Sequence, residues 1–113
     1  MIKYQIVLVP FPFDDFTGTK VRPAICLTEE IGLYKHVVIA FISSQIPSQL
    51  EATEILLVRR ATDFSMTGLL VDSVIKLHRL VTVPKSLIKR QLGELPPRLK
   101  TEIDNRLRSL FGL

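Results

Sequence analysis

The chain has 113 residues, of which 47% are hydrophobic, so residues 1–113 can bury the core of one domain without disulfide bonds. This composition excludes an intrinsically disordered chain, and the single cysteine, Cys26, excludes an internal disulfide and a cysteine-based zinc cluster. The formal net charge is +4, and the segment from Lys76 to Arg108 holds nine Lys or Arg against three acids. This local excess favours a polyanion or an acidic protein as a partner, although a solvated helix face explains the same charges.

The N-terminal segment and the cysteine content indicate the compartment. Only Lys3 precedes a short apolar run that Pro10 interrupts, which is not the pattern of a signal peptide. The apolar runs are all shorter than the roughly 20 residues of a membrane helix. One cysteine is typical of a protein in a reducing compartment. We therefore expect a cytoplasmic protein that does not bind a membrane.

The first two predicted strands are separated by a polar loop. The branched apolar run Ile6–Val9 predicts a buried strand, which Pro10 and Pro12 end because each lacks a backbone donor. After the loop, Arg22-Pro23 leads into a second apolar strand, Ala24–Leu27. Arg22 therefore stands where a loop meets a rigid strand, which is a common position for a functional side chain.

Three more strands are predicted before the C-terminal quarter of the chain. His36–Ile42 is almost wholly apolar and is predicted to be a central strand that ends at the polar group Ser43-Ser44-Gln45. Thr53–Val58 is the next strand, and Asp72–Val83 is the longest. One end of the longest strand is polar on a single face, which predicts a bent strand that passes from core to surface.

The C-terminal quarter predicts two helices. Lys85–Leu92 predicts a short helix that Gly93 ends, and Pro96-Pro97 opens the second. The second helix carries an apolar face formed by Leu99, Ile103, Leu107 and Leu110. Its favourable i,i+4 ion pairs are Glu102 with Arg106 and Asp104 with Arg108. Because the strands do not alternate with helices, the expected fold is mainly β, a small barrel with a C-terminal helix.

The residues that commonly bind metals or cofactors do not form a recognisable pattern. Asp14, Asp15 and Asp72 are scattered, and His36 and His78 lie in separate strands, so we expect no metal site. The sequence holds neither a phosphate loop nor a dinucleotide fingerprint, so we expect no cofactor. The apolar neighbours of the cysteine favour an inert buried thiol rather than a nucleophile.

Topology brings an arginine and a serine together. If the strands Ala24–Leu27 and His36–Ile42 are antiparallel neighbours, Arg22 and Ser43 meet at one rim of the sheet. A guanidinium beside a hydroxyl suits a phosphate group. Each residue also has a purely structural interpretation, since Arg22 can pair with a loop aspartate and Ser43 and Ser44 can hydrogen-bond the local backbone.

Short segments in a fixed order cover most of the chain between residues 6 and 95. They are Ile6-Val7-Leu8-Val9-Pro10-Phe11-Pro12-Phe13, Arg22-Pro23-Ala24, Ile42-Ser43-Ser44-Gln45, Gly68-Leu69, Asp72-Ser73-Val74, Leu80-Val81-Thr82-Val83 and Leu92-Gly93. Together they resemble the MazF/PemK-like toxins, the ribonuclease half of bacterial toxin–antitoxin pairs. The resemblance implies an SH3-like barrel of the MazF/PemK/CcdB type, a homodimer, metal-independent cleavage of single-stranded RNA, and an antitoxin whose disordered tail wraps the toxin.

The resemblance also implies roles for individual residues. Arg22 matches the family's active-site arginine, and Ser43 stands where many members carry a threonine, so the hydroxyl is kept. These two are the expected catalytic residues. The family usually has Gly-Asp just before the first strand, where this chain has Tyr4-Gln5. The residues expected to bind RNA are Phe13, Thr19, Lys20, Ser44 and Gln45.

RNA cleavage by the substrate's own 2′-OH fits these residue types. The reaction leaves a 2′,3′-cyclic phosphate and requires in-line positioning, a proton acceptor, a proton donor and positive charge at the phosphate. Arg22 can supply charge and a donor, and Ser43 can bind a phosphate oxygen. Arginine is not expected to lose its proton, so either the site perturbs Arg22 strongly or another group accepts the proton, for which Asp14, Asp15 and His78 are the candidates.

Two alternative functions are compatible with the same barrel. One is a module that binds nucleic acid or protein without cutting it, and the other is a toxin that poisons gyrase. The fold does not separate these functions, because function depends on the site. The pairing of Arg22 with Ser43 favours the nuclease.

Overall fold

The computed structural model describes residues 1–10 and 20–113. Over these residues the chain forms six β-strands and one α-helix, namely β1 Gln5–Pro10, β2 Val21–Cys26, β3 His36–Ser43, β4 Glu54–Leu57, β5 Ser73–Pro84, β6 Arg90–Glu94 and α1 Lys100–Phe111. The strands form one antiparallel sheet in the order β4-β5-β3-β2-β1-β6, which curls into a half-barrel. The predicted mainly β fold with a C-terminal helix is confirmed.

Alternation along the strands separates two apolar clusters on opposite faces of the sheet. In β2, Ile25 packs into the cluster that the C-terminal helix covers, whereas Ala24 and Cys26 pack into the other cluster. Strand β3 alternates in the same way, with Ala40 in the first cluster and Phe41 in the second. Both faces of the central strands are therefore buried, as the apolar sequence of β3 predicts.

Strand β5 contains the main irregularity of the sheet. Ala40 of β3 pairs with Leu80, but the next residue, Phe41, pairs with Lys76, so residues 77–79 are inserted between successive partners of β3. The backbone N–H of Leu77 donates instead to the carbonyl of Thr53, at 2.9 Å. Such an insertion bends a strand, as predicted for this segment.

The helix predicted at Lys85–Leu92 is wrong. A short 3-10 turn spans Lys85–Leu87, and the following residues form β6, which pairs with the outer side of β1. Without β6, strand β1 would present an unpaired edge, and the backbone hydrogen bonds of this pairing outweigh a weak local helix preference. A Cβ atom at Gly93 of β6 would overlap the backbone of Met66 and Thr67, so this glycine permits a close approach of two chain segments.

The C-terminal helix packs largely as its sequence predicts. Leu99 and Ile103 are buried in the first cluster, and Leu107 packs against it. Leu110 does not follow, because it is 36% exposed near the end of the helix. The predicted Glu102–Arg106 pair forms at 2.9 Å. The pair of Asp104 with Arg108 is wrong, since Asp104 accepts a hydrogen bond from Tyr4 and Arg108 donates to Asn105.

Tyr4, which stands where the resemblance leads us to expect a glycine, adopts a left-handed backbone conformation with φ 74°. This conformation costs an L-residue about 1–2 kcal/mol. The phenol compensates by donating to Asp104 at 3.0 Å, and its ring lies about 5 Å from the ammonium groups of Lys3 and Lys100. Tyr4 therefore fixes the N-terminus to the C-terminal helix.

In the described ranges, every helix is too short or too polar to span a bilayer.

Candidate functional site

The register of β2 and β3 runs toward Arg22 and Ser43 at one end of the two strands. Ala24 pairs with Phe41 and Cys26 with Ile39, and the same register continued by two residues reaches Arg22 and Ser43. The structure therefore brings these two predicted residues together at one rim of the sheet.

Both residues line one small cavity, here called the rim pocket. It has a volume of about 170 Å³ and is lined by Arg22, residues 41–45, Lys76 and Arg79. Pockets that enclose drug-sized ligands have volumes of roughly 300–1,000 Å³. The rim pocket is therefore suited to a single group such as a phosphate, and its cationic lining favours an anion.

Ser43 forms the local turn interaction predicted for it and keeps a hydroxyl proton that it can donate to a ligand. Its hydroxyl oxygen accepts a hydrogen bond from the backbone N–H of Gln45 at 3.1 Å, which is the turn interaction expected from the sequence. A hydroxyl that accepts one such bond still has its own proton to donate. Ser43 is thus held in place and can still bind an oxygen atom in the rim pocket.

Lys76, Arg79 and Glu54 are residues of this region that the sequence interpretation missed. The Lys76 ammonium lies 2.7 Å from a carboxylate oxygen of Glu54, and the exposed fractions of the two side chains are 21% and 3%. The other oxygen of Glu54 accepts from the backbone N–H of Glu51 at 2.8 Å. The hydrogen bond from Lys76, followed by that from Glu51, lowers the pKa of Glu54. The sequence did contain a signal for Glu54, because a carboxylate within an otherwise apolar strand is unusual.

The remaining predicted residues have different positions relative to the rim pocket. Ser44 and Gln45 are exposed and line it, and Lys20 is exposed just before β2. His78 is exposed, with its Nδ1 atom 2.7 Å from the hydroxyl of Thr53, and it is not among the described residues that line the pocket. The predicted RNA-binding residues Phe13 and Thr19 and the candidate proton acceptors Asp14 and Asp15 lie outside the described residues.

Two larger grooves adjoin the rim pocket and share Ser44 with it. One has a volume of about 1080 Å³ and includes Arg59 and Arg60. The other, here called the apolar groove, has a volume of about 430 Å³, and Arg22 also lines it. Its apolar lining residues include Leu8, Ile42, Leu69, Leu70 and Val71. Leu70 is 84% exposed, so the groove presents apolar surface beside the cationic pocket.

Cys26 and the acidic residues do not add a second reactive centre to the described chain. Cys26 is fully buried, and burial, together with the charge of Glu29, raises the pKa of its thiol to about 11. The predicted burial of the thiol is therefore confirmed, and a raised pKa disfavours the reactive thiolate. Across residues 1–10 and 20–113, no group of three or more His, Cys, Asp or Glu side chains is arranged to hold a metal ion.

Comparison with known proteins decides the family. The family model of the PemK-like, MazF-like toxins of type II toxin–antitoxin systems matches residues 3–111. The chain belongs to this toxin family. Among curated proteins, the comparison finds no match to the chain.

Solved structures of MazF proteins have the same fold. The Mycobacterium tuberculosis toxin MazF-mt6 is 23% identical with a TM-score of 0.73, covering 96% of this chain and 97% of that one. A MazE–MazF structure from Deinococcus radiodurans is 19% identical with a TM-score of 0.76, covering 100% and 96%. An endoribonuclease in complex with its cognate antitoxin from a mycobacterial species is 14% identical with a TM-score of 0.70, covering 100% and 96%. At identities of 14–23%, these similarities show that the chain shares the MazF fold.

Proposed function

We propose that this MazF-like chain is a cytoplasmic toxin that cleaves single-stranded RNA without a metal ion and inhibits growth until an antitoxin neutralises it. The observation that carries the proposal is the juxtaposition of Arg22 and Ser43 at a cationic pocket the size of one phosphate. A guanidinium and a hydroxyl that converge on a phosphate provide charge and hydrogen-bond donors where negative charge develops. Family membership supports the same conclusion.

The proposed reaction uses the 2′-OH of the RNA as the nucleophile. The 2′ oxygen attacks the adjacent phosphorus, the bond from phosphorus to the 5′ oxygen breaks, and the products are a 2′,3′-cyclic phosphate and a 5′-hydroxyl. Arg22 binds the phosphate oxygens in its planar fork, and Ser43 donates a hydrogen bond to one of them. The proton of the 2′-OH goes to a group other than Arg22, because a guanidinium keeps its proton. The leaving 5′ oxygen takes up one proton from solvent, so the reaction has no net gain or loss of protons.

In this proposal the substrate lies across the rim pocket and the larger adjoining groove, which includes Arg59 and Arg60. Lys20, Ser44 and Gln45 bind RNA beside the reacting phosphate, together with Phe13 and Thr19 of the sequence that precedes β2. Single-stranded RNA suits an open surface of this kind, because its unstacked bases can spread away from a backbone held by cations.

We propose that the active form is a C2 homodimer with an antitoxin as its regulator. The apolar groove, which includes the exposed Leu70, supports a self-complementary interface next to Arg22. The presence of MazE–MazF and other toxin–antitoxin complexes among similar structures supports the antitoxin. Light scattering at micromolar protein should give the dimer mass, and a monomer mass would count against the assembly.

The direct experiment is RNA cleavage in EDTA. Purified protein is incubated with a long single-stranded transcript and with the DNA of the same sequence, and the ends of the products are analysed. We expect cleavage of the RNA alone, with cyclic phosphate ends. RNA that is bound but left intact would favour the non-catalytic binding module, and protein that neither binds nor cleaves RNA but inhibits gyrase would favour the poison.

A further inference from the structure

We infer that Lys76 is a further phosphate-binding residue of the rim pocket and that Glu54 is its positioning residue. The inference rests on the proposed RNA cleavage and adds a charged pair to the site formed by Arg22 and Ser43. The pair lies on strands β4 and β5, whereas Arg22 and Ser43 lie on β2 and β3.

The sheet register places the Lys76 side chain on the same face as Ser43 and Arg22. Lys76 is paired with Phe41, and Ser43 is the next residue of β3 on that face. Lys76 is therefore a diagonal neighbour of Ser43, at a Cβ separation of about 7–8 Å. A lysine side chain spans such a distance, and Lys76 lines the rim pocket together with both residues. The irregularity of β5 that follows Lys76 brings Arg79 to the same pocket.

Glu54 fixes the position of the Lys76 ammonium. Glu54 is directly opposite Lys76 in the sheet, its side chain is 3% exposed, and its carboxylate lies 2.7 Å from the ammonium. A buried carboxylate is stable only when it is paired and hydrogen-bonded. Lys76 provides that pairing. If the ammonium moved away, the buried charge of Glu54 would lose its ion-pair partner, which is energetically costly.

This arrangement pre-organises a cation for a ligand. A solvent-exposed lysine loses much rotamer freedom when it binds a phosphate, whereas the Lys76 side chain has already lost that freedom in the folded protein. The ammonium has three N–H donors, of which one is directed to Glu54. The others are available to phosphate oxygens, so Lys76 supports the charge that develops on the phosphate during cleavage.

The test separates binding from cleavage. Lys76→Met retains the apolar stem and removes the charge, and its control is Lys85→Met. Lys85 also pairs with a glutamate, Glu30, but it follows the far end of β5 and lines a different cavity. Binding is measured with a 2′-O-methyl single-stranded RNA, which lacks the nucleophile, over a range of salt concentrations. Cleavage is measured in single turnovers with the unmodified RNA.

We expect Lys76→Met to slow cleavage about 100-fold, the scale for loss of one transition-state donor. The slope of log binding constant against log salt should become shallower by about 0.7, the change expected when the protein neutralises one phosphate fewer on a single strand. Lys76→Arg should restore the salt slope, because it keeps the charge. Lys85→Met should change neither quantity. If Lys76→Met binds and cleaves like the wild type, the inference is overturned.

Glu54→Gln tests the positioning role. It removes a negative charge from the site, so RNA binding should stay equal or become tighter, yet cleavage should slow about 10-fold to 100-fold because the ammonium is less well placed. A purely structural Glu54 would lower the melting temperature without this split. If Lys76→Met does not fold, the double variant Glu54→Gln/Lys76→Met removes the buried charge as well and gives the salt slope.

The outcomes for the inference and for the proposed function are distinguishable. If the wild type binds RNA without cutting it and the salt slope still depends on Lys76, the proposed catalysis fails and the binding of phosphate by Lys76 stands. If the wild type cuts RNA and neither readout depends on Lys76, the proposed function stands and the inference fails. If the wild type neither binds nor cuts RNA, both are wrong.

Discussion

Replacing Arg22 with alanine is the sharpest test of the proposed active site. The variant removes the guanidinium from the rim pocket and leaves the backbone pairing of β2 with β1 in place. Loss of one pre-organised transition-state donor costs about 100-fold to 1,000-fold in rate, or about 2.7–4 kcal/mol. Lys76 and Arg79 still line the pocket, so positive charge remains and we expect the lower end, about 100-fold.

The assay pairs single-turnover cleavage in EDTA with thermal unfolding of the same sample. Arg22→Ala should shift the melting temperature by less than about 5 °C, the shift that corresponds to about 1 kcal/mol in a domain of this size. Arg108→Ala is the matched control, because this exposed arginine lies on α1, which packs against the opposite face of the sheet. It should cleave at the wild-type rate.

Conservative variants refine the same test. Arg22→Lys should recover little activity, because an ammonium lacks the planar fork. Ser43→Ala should reduce cleavage less than Arg22→Ala, and Ser43→Thr should be nearly neutral because the hydroxyl is kept. An unchanged rate for Arg22→Ala, or a rate that falls only because the protein unfolds, would show that Arg22 is merely structural.

Four further expectations concern stability and partner binding. Ile103→Ala should lower the free energy of unfolding in urea by about 2–5 kcal/mol, because Ile103 is fully buried. Leu110→Ala should change it by no more than about 0.5 kcal/mol. Equal losses for the two variants would contradict the packing of α1. Gly93→Ala should cost about 1–3 kcal/mol by overlap with the Met66 carbonyl, and a wild-type melting temperature would exclude that close approach. The lowered pKa of Glu54 means that its contribution to stability is complete above its ordinary value of 4.5 and is lost as pH falls through the lower folded-state value. Glu54→Gln should therefore make acid unfolding less steep below pH 4.5, and an unaltered pH profile would argue against the ion pair. Association with an acidic antitoxin tail should slow as salt rises, given the basic excess from residue 76 to residue 108, and a salt-independent rate would remove the electrostatic argument.

Local sequence patterns were sufficient for most of the secondary structure. The apolar run of β3 and the helical spacing of Leu99, Ile103 and Leu107 predict elements that the structure contains, because alternation and helical periodicity decide which side chains can be buried. The position of Arg22 and Ser43 was also predictable. It requires only that two consecutive strands pair antiparallel, which is a common arrangement for strands that follow each other in the sequence.

Tertiary structure alone decided β6 and the charged pair beside the rim pocket. The segment that forms β6 has no strong strand pattern of its own, and it becomes a strand because β1 offers an unpaired edge far away in the sequence. Glu54 and Lys76 meet only through the register of β4 with β5, and the irregularity of β5 then brings Arg79 to the same pocket. Such contacts depend on which edges pair and where a strand bends. These are properties of the assembled sheet, since a shift of one residue in register would turn Lys76 to the other face.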